Sequence, residues 1–431
     1  MFALAPIPTT GAGRPLLVGL SGGLDSTVLL CSLALSIPHR QCGLRALHVH
    51  HGLHPHADTW AADCQGLCDR LGIALTIVRA TVRRDEGLGL EAAARKARYA
   101  AFESELHEDE VLVLAHHRDD QTETFLLRAL RASGVDGLAA MPAWRALGHG
   151  WLWRPLLDVP RAALLAYART HALRWIDDAS NADTAMDRNF LRHRVLPLLR
   201  ERWPDADAAF ARSAALCGDA ASMLAGDDAI ALATMRGAEP RSLDVARLLE
   251  VGAPRRARVL RHWVASLGLP PLPAQGIARI ESDLLQAAPG AQAQFEWAGA
   301  VIRRWRSALH AGVPTAPWPE NWGQDWDGAQ ALQLPDGGSL RLLGAASFTH
   351  TVRVCGRRGG ERITLPGRGH SHALKHVLQD LDVPPWRRHR LPLLFDADGD
   401  LLAAGDIAVS ASMATWLQVN ASRLAHSPGS D

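Results

Sequence analysis

Lysine is almost missing from this chain. Of 46 basic residues, only Lys96 and Lys375 are lysines. A high-GC coding sequence favours arginine wherever either cation serves. The two retained lysines are therefore expected where a compact ammonium on a flexible stem is needed rather than a planar fork. Excess charge is missing too. The 46 basic residues face 45 acidic ones, a formal net charge of +1, so any nucleic-acid surface must be a local patch. The six cysteines include no C-x-x-C pair, which fits free thiols in a reducing cytoplasm rather than a disulfide framework. No apolar run approaches the ~18 residues of a membrane helix, and no basic stretch precedes an apolar one at the start. Internal repeats and long low-complexity segments are absent. Apolar residues are not scarce: at 48% of 431 residues, they supply a core for two or three domains.

The most informative stretch is Leu16-Leu17-Val18-Gly19-Leu20-Ser21-Gly22-Gly23-Leu24-Asp25-Ser26-Thr27. An apolar strand runs into a Ser/Gly loop that opens onto a helix. Gly22 and Gly23 lack a Cβ, so the backbone can turn sharply and converge its N–H groups on an anion. A helix starting near Asp25 adds unpaired N–H groups and a positive dipole end. Ser21, Ser26 and Thr27 offer hydroxyls, and Asp25 a carboxylate able to hold Mg²⁺ against phosphates. The Walker A spacing and its lysine are absent.

The first ~200 residues alternate apolar runs with helical stretches, the pattern of a parallel sheet covered by helices. Expected strands are Leu16 to Leu20, Leu44 to Val49, Leu75 to Arg79 and Val111 to Ala115. Expected helices are Asp25 to Leu35, Ala57 to Leu71 and Leu90 to Leu106, with another from about Asp119. Residues from about Trp203 to Arg306 read as Ala/Leu/Arg-rich helices without clear strands. Residues 313 to 339 read as linker, and 340 to 431 as a small α+β domain.

Three polar clusters fall at the carboxyl ends of the expected strands, where ligands bind in such sheets. In His116-His117-Arg118-Asp119-Asp120-Gln121-Thr122-Glu123, the spacing places Asp119, Asp120 and Glu123 on one face near a helix start. Such a cluster suits a metal or a substrate ammonium. The run His48-Val49-His50-His51-Gly52-Leu53-His54-Pro55-His56 lacks the cysteine or carboxylate partners of a zinc site. His50, His51 and Gly52 read as nucleotide-pocket lining, and His54 and His56 as surface residues. Apart from these strand-end clusters, of which the Ser/Gly loop is the third, Glu91, Arg95 and Arg98 share a helix face that reads equally as a salt-bridged stripe or as cations for ATP or RNA. Cys64 and Cys68, four apart on an expected helix, read as small buried residues far from the loop ends. Near the C-terminus Arg357, Arg358, Arg362, Arg368, Lys375, Arg387, Arg388 and Arg390, with Trp386 among them, form a local basic block suited to RNA backbone.

The pattern S-G-G-x-D-S resembles the pyrophosphate loop of N-type ATP pyrophosphatases. With H-V-x-H-G-L, E-A-x-A-R-x-x-R-Y and H-H-x-D-D-Q-x-E-T following in order, the chain resembles the tRNA(Ile)-lysidine synthetase family. The likeness continues through Arg154-Pro155-Leu156-Leu157, Arg174 to Asn181, Asp187-Arg188-Asn189-Phe190-Leu191-Arg192 and Val383-Pro384-Pro385-Trp386, and so covers nearly the whole chain. Ala132 stands where the family has glycine, His376 where a second lysine is usual, and Ala179 where Asp is common.

The resemblance implies a doubly wound, mainly parallel α/β domain over 1–203, of the adenine-nucleotide alpha-hydrolase-like PP-loop kind. A helical substrate or tRNA-binding domain over 204–312 would follow, then a linker over 313–339 and a C-terminal α+β tRNA-binding domain over 340–431. It implies ATP and Mg²⁺, free lysine and a tRNA(Ile) with a CAU anticodon as substrates, in a cytoplasmic ligase that adenylates a cytidine. On this basis Ser21, Gly22, Gly23, Leu24, Asp25, Ser26, Thr27 and His50 are expected to hold ATP, with Asp25 on the metal. Asp119, Asp120 and Glu123 are expected to hold lysine, and His117 to accept its proton. Arg95, Arg192, Arg357, Arg358, Lys375 and Arg387 are expected on tRNA. The alternatives are a PP-loop tRNA thiolase and a non-catalytic tRNA-binding protein.

Overall fold

The computed structural model describes residues 2–82, 90–178, 183–288 and 293–429. Ala179, Ser180 and Asn181 of the family-like segment lie outside the described residues, as does the side chain of Glu91. Contacts divide the chain into two units, Met1–Gly226 and Asp227–Asp431.

The first unit is built on a six-stranded sheet. Its strands are β1 (Leu16–Gly19), β2 (Leu44–His50), β3 (Ala74–Arg79), β4 (Val111–Val113), β5 (Trp144–Leu147) and β6 (Gly150–Trp153). They lie in the order β3-β2-β1-β4-β6-β5. All pairings are parallel except that of β5 with β6. β1 sits centrally and every residue in it is buried. Its residues alternate between two cores. Leu16 and Val18 join Val111, Val113 and Trp153 on one face, while Leu17 joins Leu47, Phe102 and Leu112 on the other. Burial on both faces explains the continuous apolar runs in the sequence.

The helices are α1 (Leu24–Leu35), the short α2 (Ile37–Gln41), α3 (Ala57–Leu71), α4 (Leu90–Glu105), α5 (Arg118–Leu130), the one-turn α6 (Val135–Leu138) and α7 (Arg161–Thr170). α3 stops where Gly72 takes φ 64°, the left-handed conformation glycine adopts without strain. α8 (Asp187–Phe190), a π-helical turn over Leu191–Val195 and α9 (Leu196–Arg202) follow. α10 (Ala206–Met235), 30 residues long, contains the division between the units. That division falls beyond residue 203, where the composition changes.

The second unit departs from the sequence reading in two places. The stretch read as helical without strands holds β7 (Ser242–Asp244), β8 (Gln294–Trp297), β9 (Ala300–Trp305) and β10 (Ala308–Gly312), all antiparallel. The β8–β9 turn is Ala298-Gly299, both at positive φ. That is the geometry of a two-residue hairpin without its usual Asn-Gly or Asp-Gly signal. The expected linker is part of a core. Trp318 and Trp326 are buried there beside Val354 and Leu394, and Gly323–Trp326 pairs with Val352–Cys355. The C-terminal α+β expectation matches a five-stranded and a three-stranded sheet with helices at Leu374–Asp380 and Ala411–Val419. No helix among the described residues is long and apolar enough to cross a membrane.

Candidate active site

β1 delivers the Ser/Gly loop to the carboxyl edge of the sheet, and Gly22 turns it at φ 84°. A Cβ on Gly22 would lie 2.3 Å from Ile176 Cδ1 and 3.0 Å from Cys64 Sγ, so glycine is required by space as well as by conformation. The Gly22 carbonyl accepts the Ile176 N–H at 2.9 Å and the Thr27 hydroxyl at 3.3 Å. Ser26 Oγ accepts the Ser21 N–H at 3.2 Å, donates to the Gly23 carbonyl at 3.2 Å and lies 3.0 Å from Ser21 Oγ. The hydroxyls of Ser26 and Thr27, offered above to phosphate, therefore brace the loop itself. Leu24 opens α1 and is buried beneath it. Cys64 departs from its reading in position: it is buried, but directly against Gly22. Burial pushes its thiol up to about 12 and that of Cys68 up to about 11, with neighbouring acidic groups adding to each shift.

His117 joins the loop to the acidic helix. Its side chain is 1% exposed, with Nε2 3.5 Å from Asp25 Oδ2 and 3.4 Å from Asp120 Oδ2, and Nδ1 3.7 Å from Asp119 Oδ1. Burial alone would lower its pKa, but Asp120, Asp25 and Asp119 together raise it. The reverse holds for Asp120. Burial opposes its charge, yet His117, Arg188 and His116 bring it down to about 2. Neighbouring His116 behaves oppositely. Burial, with help from nearby arginines, takes it down to about 3, and its neutral Nδ1 accepts from Arg154 Nε at 3.1 Å.

The acidic trio is already paired, which the sequence reading did not anticipate. Glu123 is fully buried and receives Arg188 Nε and Arg192 Nε, each at 2.6 Å. Asp120 Oδ1 meets Arg188 at 3.1 Å and Arg192 at 3.3 Å. Asp119 takes Arg200 at 2.8 Å and the Arg161 N–H at 3.0 Å. Glu123 is thus a holder of arginines rather than an open seat for an ammonium, and Arg192, expected on tRNA, is paired with the acidic helix. The Arg188/Arg192 spacing of four, repeating that of Asp119/Glu123, was the available signal.

A cavity of about 690 Å³ lies over this edge, lined by Ser21, Gly23, Asp25, Ser26, His50, His116, Asp120 and Asp178 among others. His50 is buried, with Nε2 3.2 Å from Asp58. His48 Nδ1 lies 2.9 Å from the Leu20 carbonyl. His56 is exposed as expected, but His54 is half-buried and lines the cavity. Arg95 is exposed on α4, 5.1 Å over the Tyr99 ring.

The C-terminal basic block divides in two. Arg357 pairs with Glu361 at 3.2 Å, Arg390 with Asp336 at 2.9 Å, and Arg387 with Glu239 at 3.1 Å. Arg388 is buried and donates to the Val383 carbonyl at 2.7 Å. Arg358, Arg362, Arg368 and Lys375 are exposed.

Residues 6–199 match the family model of the PP-loop domain, 243–310 that of the TilS substrate binding domain and 352–425 that of the TilS substrate C-terminal domain. The tRNA(Ile)-lysidine synthase of Xanthomonas axonopodis pv. citri (strain 306) is 54% identical over 420 residues, covering 97% of this chain and 95% of its own. That of Xylella fastidiosa (strain 9a5c) is 50% identical over 428 residues, covering 98% and 97%. Among solved structures, a U34-tRNA thiolase from Methanococcus maripaludis superposes with a TM-score of 0.38 at 20% identity, over 47% of this chain and 71% of that one. On the near full-length identity to these synthases, the chain belongs to the tRNA(Ile)-lysidine synthase family.

Proposed function

We propose that this chain ligates free lysine to C2 of the cytidine at the first anticodon position of a tRNA(Ile) with a CAU anticodon, consuming ATP. The carrying observation is half or greater identity over nearly the full length to synthases of that name. It is joined to a Gly22 loop whose shape suits a polyphosphate.

The cytosine 2-oxygen is a poor leaving group until derivatised. It attacks the α-phosphorus of ATP, the α–β bridging bond breaks, and pyrophosphate departs. The lysine ε-amine then attacks C2, AMP leaves with the former 2-oxygen, and the amine proton passes to a base. The Gly22 and Gly23 backbone and the start of α1 steady the departing pyrophosphate. Asp25 is the residue that would hold Mg²⁺. Its Oδ1 is buried without a hydrogen-bond partner, a fit for an ion bound by one carboxylate plus substrate phosphates. Bound there, Mg²⁺ supplies charge neutralisation. His117, caged by Asp25 and Asp120, is the proton acceptor. Asp120, which lines the cavity, is the better carboxylate for the lysine ammonium than Glu123, and Asp119 lies behind it. Arg95, Arg358 and Lys375 are exposed cations suited to tRNA phosphates. Arg192, Arg357 and Arg387 serve mainly the carboxylates they pair with. A thiolase reading is not favoured, because thiols held near 11 and 12 leave little thiolate at neutral pH.

The test is the mass of a tRNA(Ile) transcript after incubation with enzyme, ATP, Mg²⁺ and lysine. A gain of one lysine less water is expected, and an adenylated tRNA when lysine is withheld. An unchanged transcript with no pyrophosphate released overturns the reading.

A further inference from the structure

The histidine run is not one cluster. His48 and His50 turn inward beneath the phosphate loop, whereas His54 stacks on Trp60 with ring centroids 4.3 Å apart and planes 16° apart. Both rings line the cavity that also contains Ser21, Gly23 and Asp25. Neither is buried as a core ring is; both are intermediate in exposure. The pair is held in place from outside the cavity lining. His54 Nδ1 accepts the His56 backbone N–H at 3.2 Å, and Trp60 sits in the first turn of α3, its backbone N–H on the His56 carbonyl at 2.9 Å. His56 leans on His54 at 5.3 Å but does not line the cavity.

Two flat rings do nothing for polyphosphate chemistry, which the loop, Asp25 and His117 provide. They offer a π surface inside a polar cavity, which is what an unstacked nucleobase requires. The reaction brings two bases to this edge: the adenine of ATP, and a cytosine that must leave its own stack to be modified. We infer that the His54–Trp60 pair is a stacking wall for a nucleobase in the PP-loop cavity. This rests on the cavity being the nucleotide site, and it adds residues that the phosphate loop and the acidic helix do not include.

Direct binding tests it in the full chain, with ATP and with tRNA(Ile) transcript titrated separately against wild type, Trp60→Ala, Trp60→Phe and His54→Ala. Loss of a base–aromatic stack predicts a roughly tenfold or greater weakening for Trp60→Ala and a smaller loss for His54→Ala. Trp60→Phe is expected to stay within about threefold of wild type. Weakening confined to ATP assigns the wall to adenine, and weakening confined to tRNA assigns it to the cytosine. In the tRNA case the slope of log affinity against log salt stays unchanged, since no phosphate contact is lost. The inference is overturned if both alanine variants bind both ligands within twofold of wild type. It is equally overturned if Trp60→Phe binds as poorly as Trp60→Ala. Should Trp60→Ala fail to fold, His54→Ala decides alone. A wild type that binds ATP but releases no pyrophosphate would sink the ligase reading and leave these binding measurements to settle the wall.

Discussion

Gly22 shows how much one residue carries. Its φ of 84° and the 2.3 Å approach of Ile176 to any Cβ predict that Gly22→Ala lowers pyrophosphate release by about a hundredfold or more, through a misshapen phosphate cradle. Radiolabelled ATP checks it, and Asp25→Ala is expected to abolish the same signal. Cys64→Ser, nearly isosteric at the same loop, is expected to leave turnover near normal. Ala132 tells the opposite story. It closes α5 at φ 53°, exposed, where family glycine would sit without strain. Ala132→Gly is therefore expected to raise stability by about 1 kcal/mol, read as an increase in Tm. His117 supplies the pH behaviour. Because Asp120 and Asp25 raise its pKa above the ordinary 6.5, the amine step, which needs His117 neutral as proton acceptor, should quicken as pH rises through the raised value. Asp120→Asn removes the chief raising charge, so burial then moves that limb to lower pH. Single-turnover AMP release at saturating lysine checks the shift. Residue types at this site were legible because Gly, Asp and His each have few uses at a strand's end. Their partners were less so, since pairing is decided in space.

At the scale of elements, the candidate site owes its charge balance to the segment from α8 to α9. The π-helical turn at Leu191–Val195 is a local device of the kind found at functional sites. It stands between Arg188 and Arg200, which reach different carboxylates. Arg192→Ala leaves Glu123, wholly buried, with a single arginine. A loss on the order of 2–3 kcal/mol is expected, measured by urea unfolding, with pyrophosphate release falling alongside. Strands β1 to β4 and helices α1, α3, α4 and α5 were readable to within a residue or two, whereas β6, which also pairs in parallel, and α7 were not read. Double burial writes itself as apolar runs, and Gly or Asp marks the turns. The hairpins after Gln294 were not readable. The strands are only four to six residues long and lie in otherwise Ala-, Leu- and Arg-rich sequence, so the Gln294-Phe295-Glu296-Trp297 alternation was masked, and Ala298 occupies a turn position that Asn or Asp normally announces. Trp318 and Trp326 sat within Pro- and Gly-rich sequence that disguised a core as a linker.

At the scale of the whole molecule, a net charge of +1 hides an uneven division of labour among arginines. Several in the basic C-terminal block hold the fold and others face solvent. A sequence count cannot separate them, because their carboxylate partners lie elsewhere in the chain. The two classes should respond differently to mutation. Arg358→Ala and Lys375→Ala are expected to weaken tRNA binding, each reducing the salt slope by about 1, without moving Tm. Arg390→Ala strands buried Asp336 and is expected to cost about 3 kcal/mol, appearing in the melting curve. Filter binding across a salt series, with calorimetric melts of the same variants, separates them.

The bond from the Ile176 N–H to the Gly22 carbonyl ties an early loop to a strut made much later during translation. Until Ile176 has left the ribosome tunnel, a nascent chain carries the Ser-Gly-Gly signature without its anchor and should not retain nucleotide. Synthesis of most of the first unit is thus expected to precede retention of nucleotide at this loop.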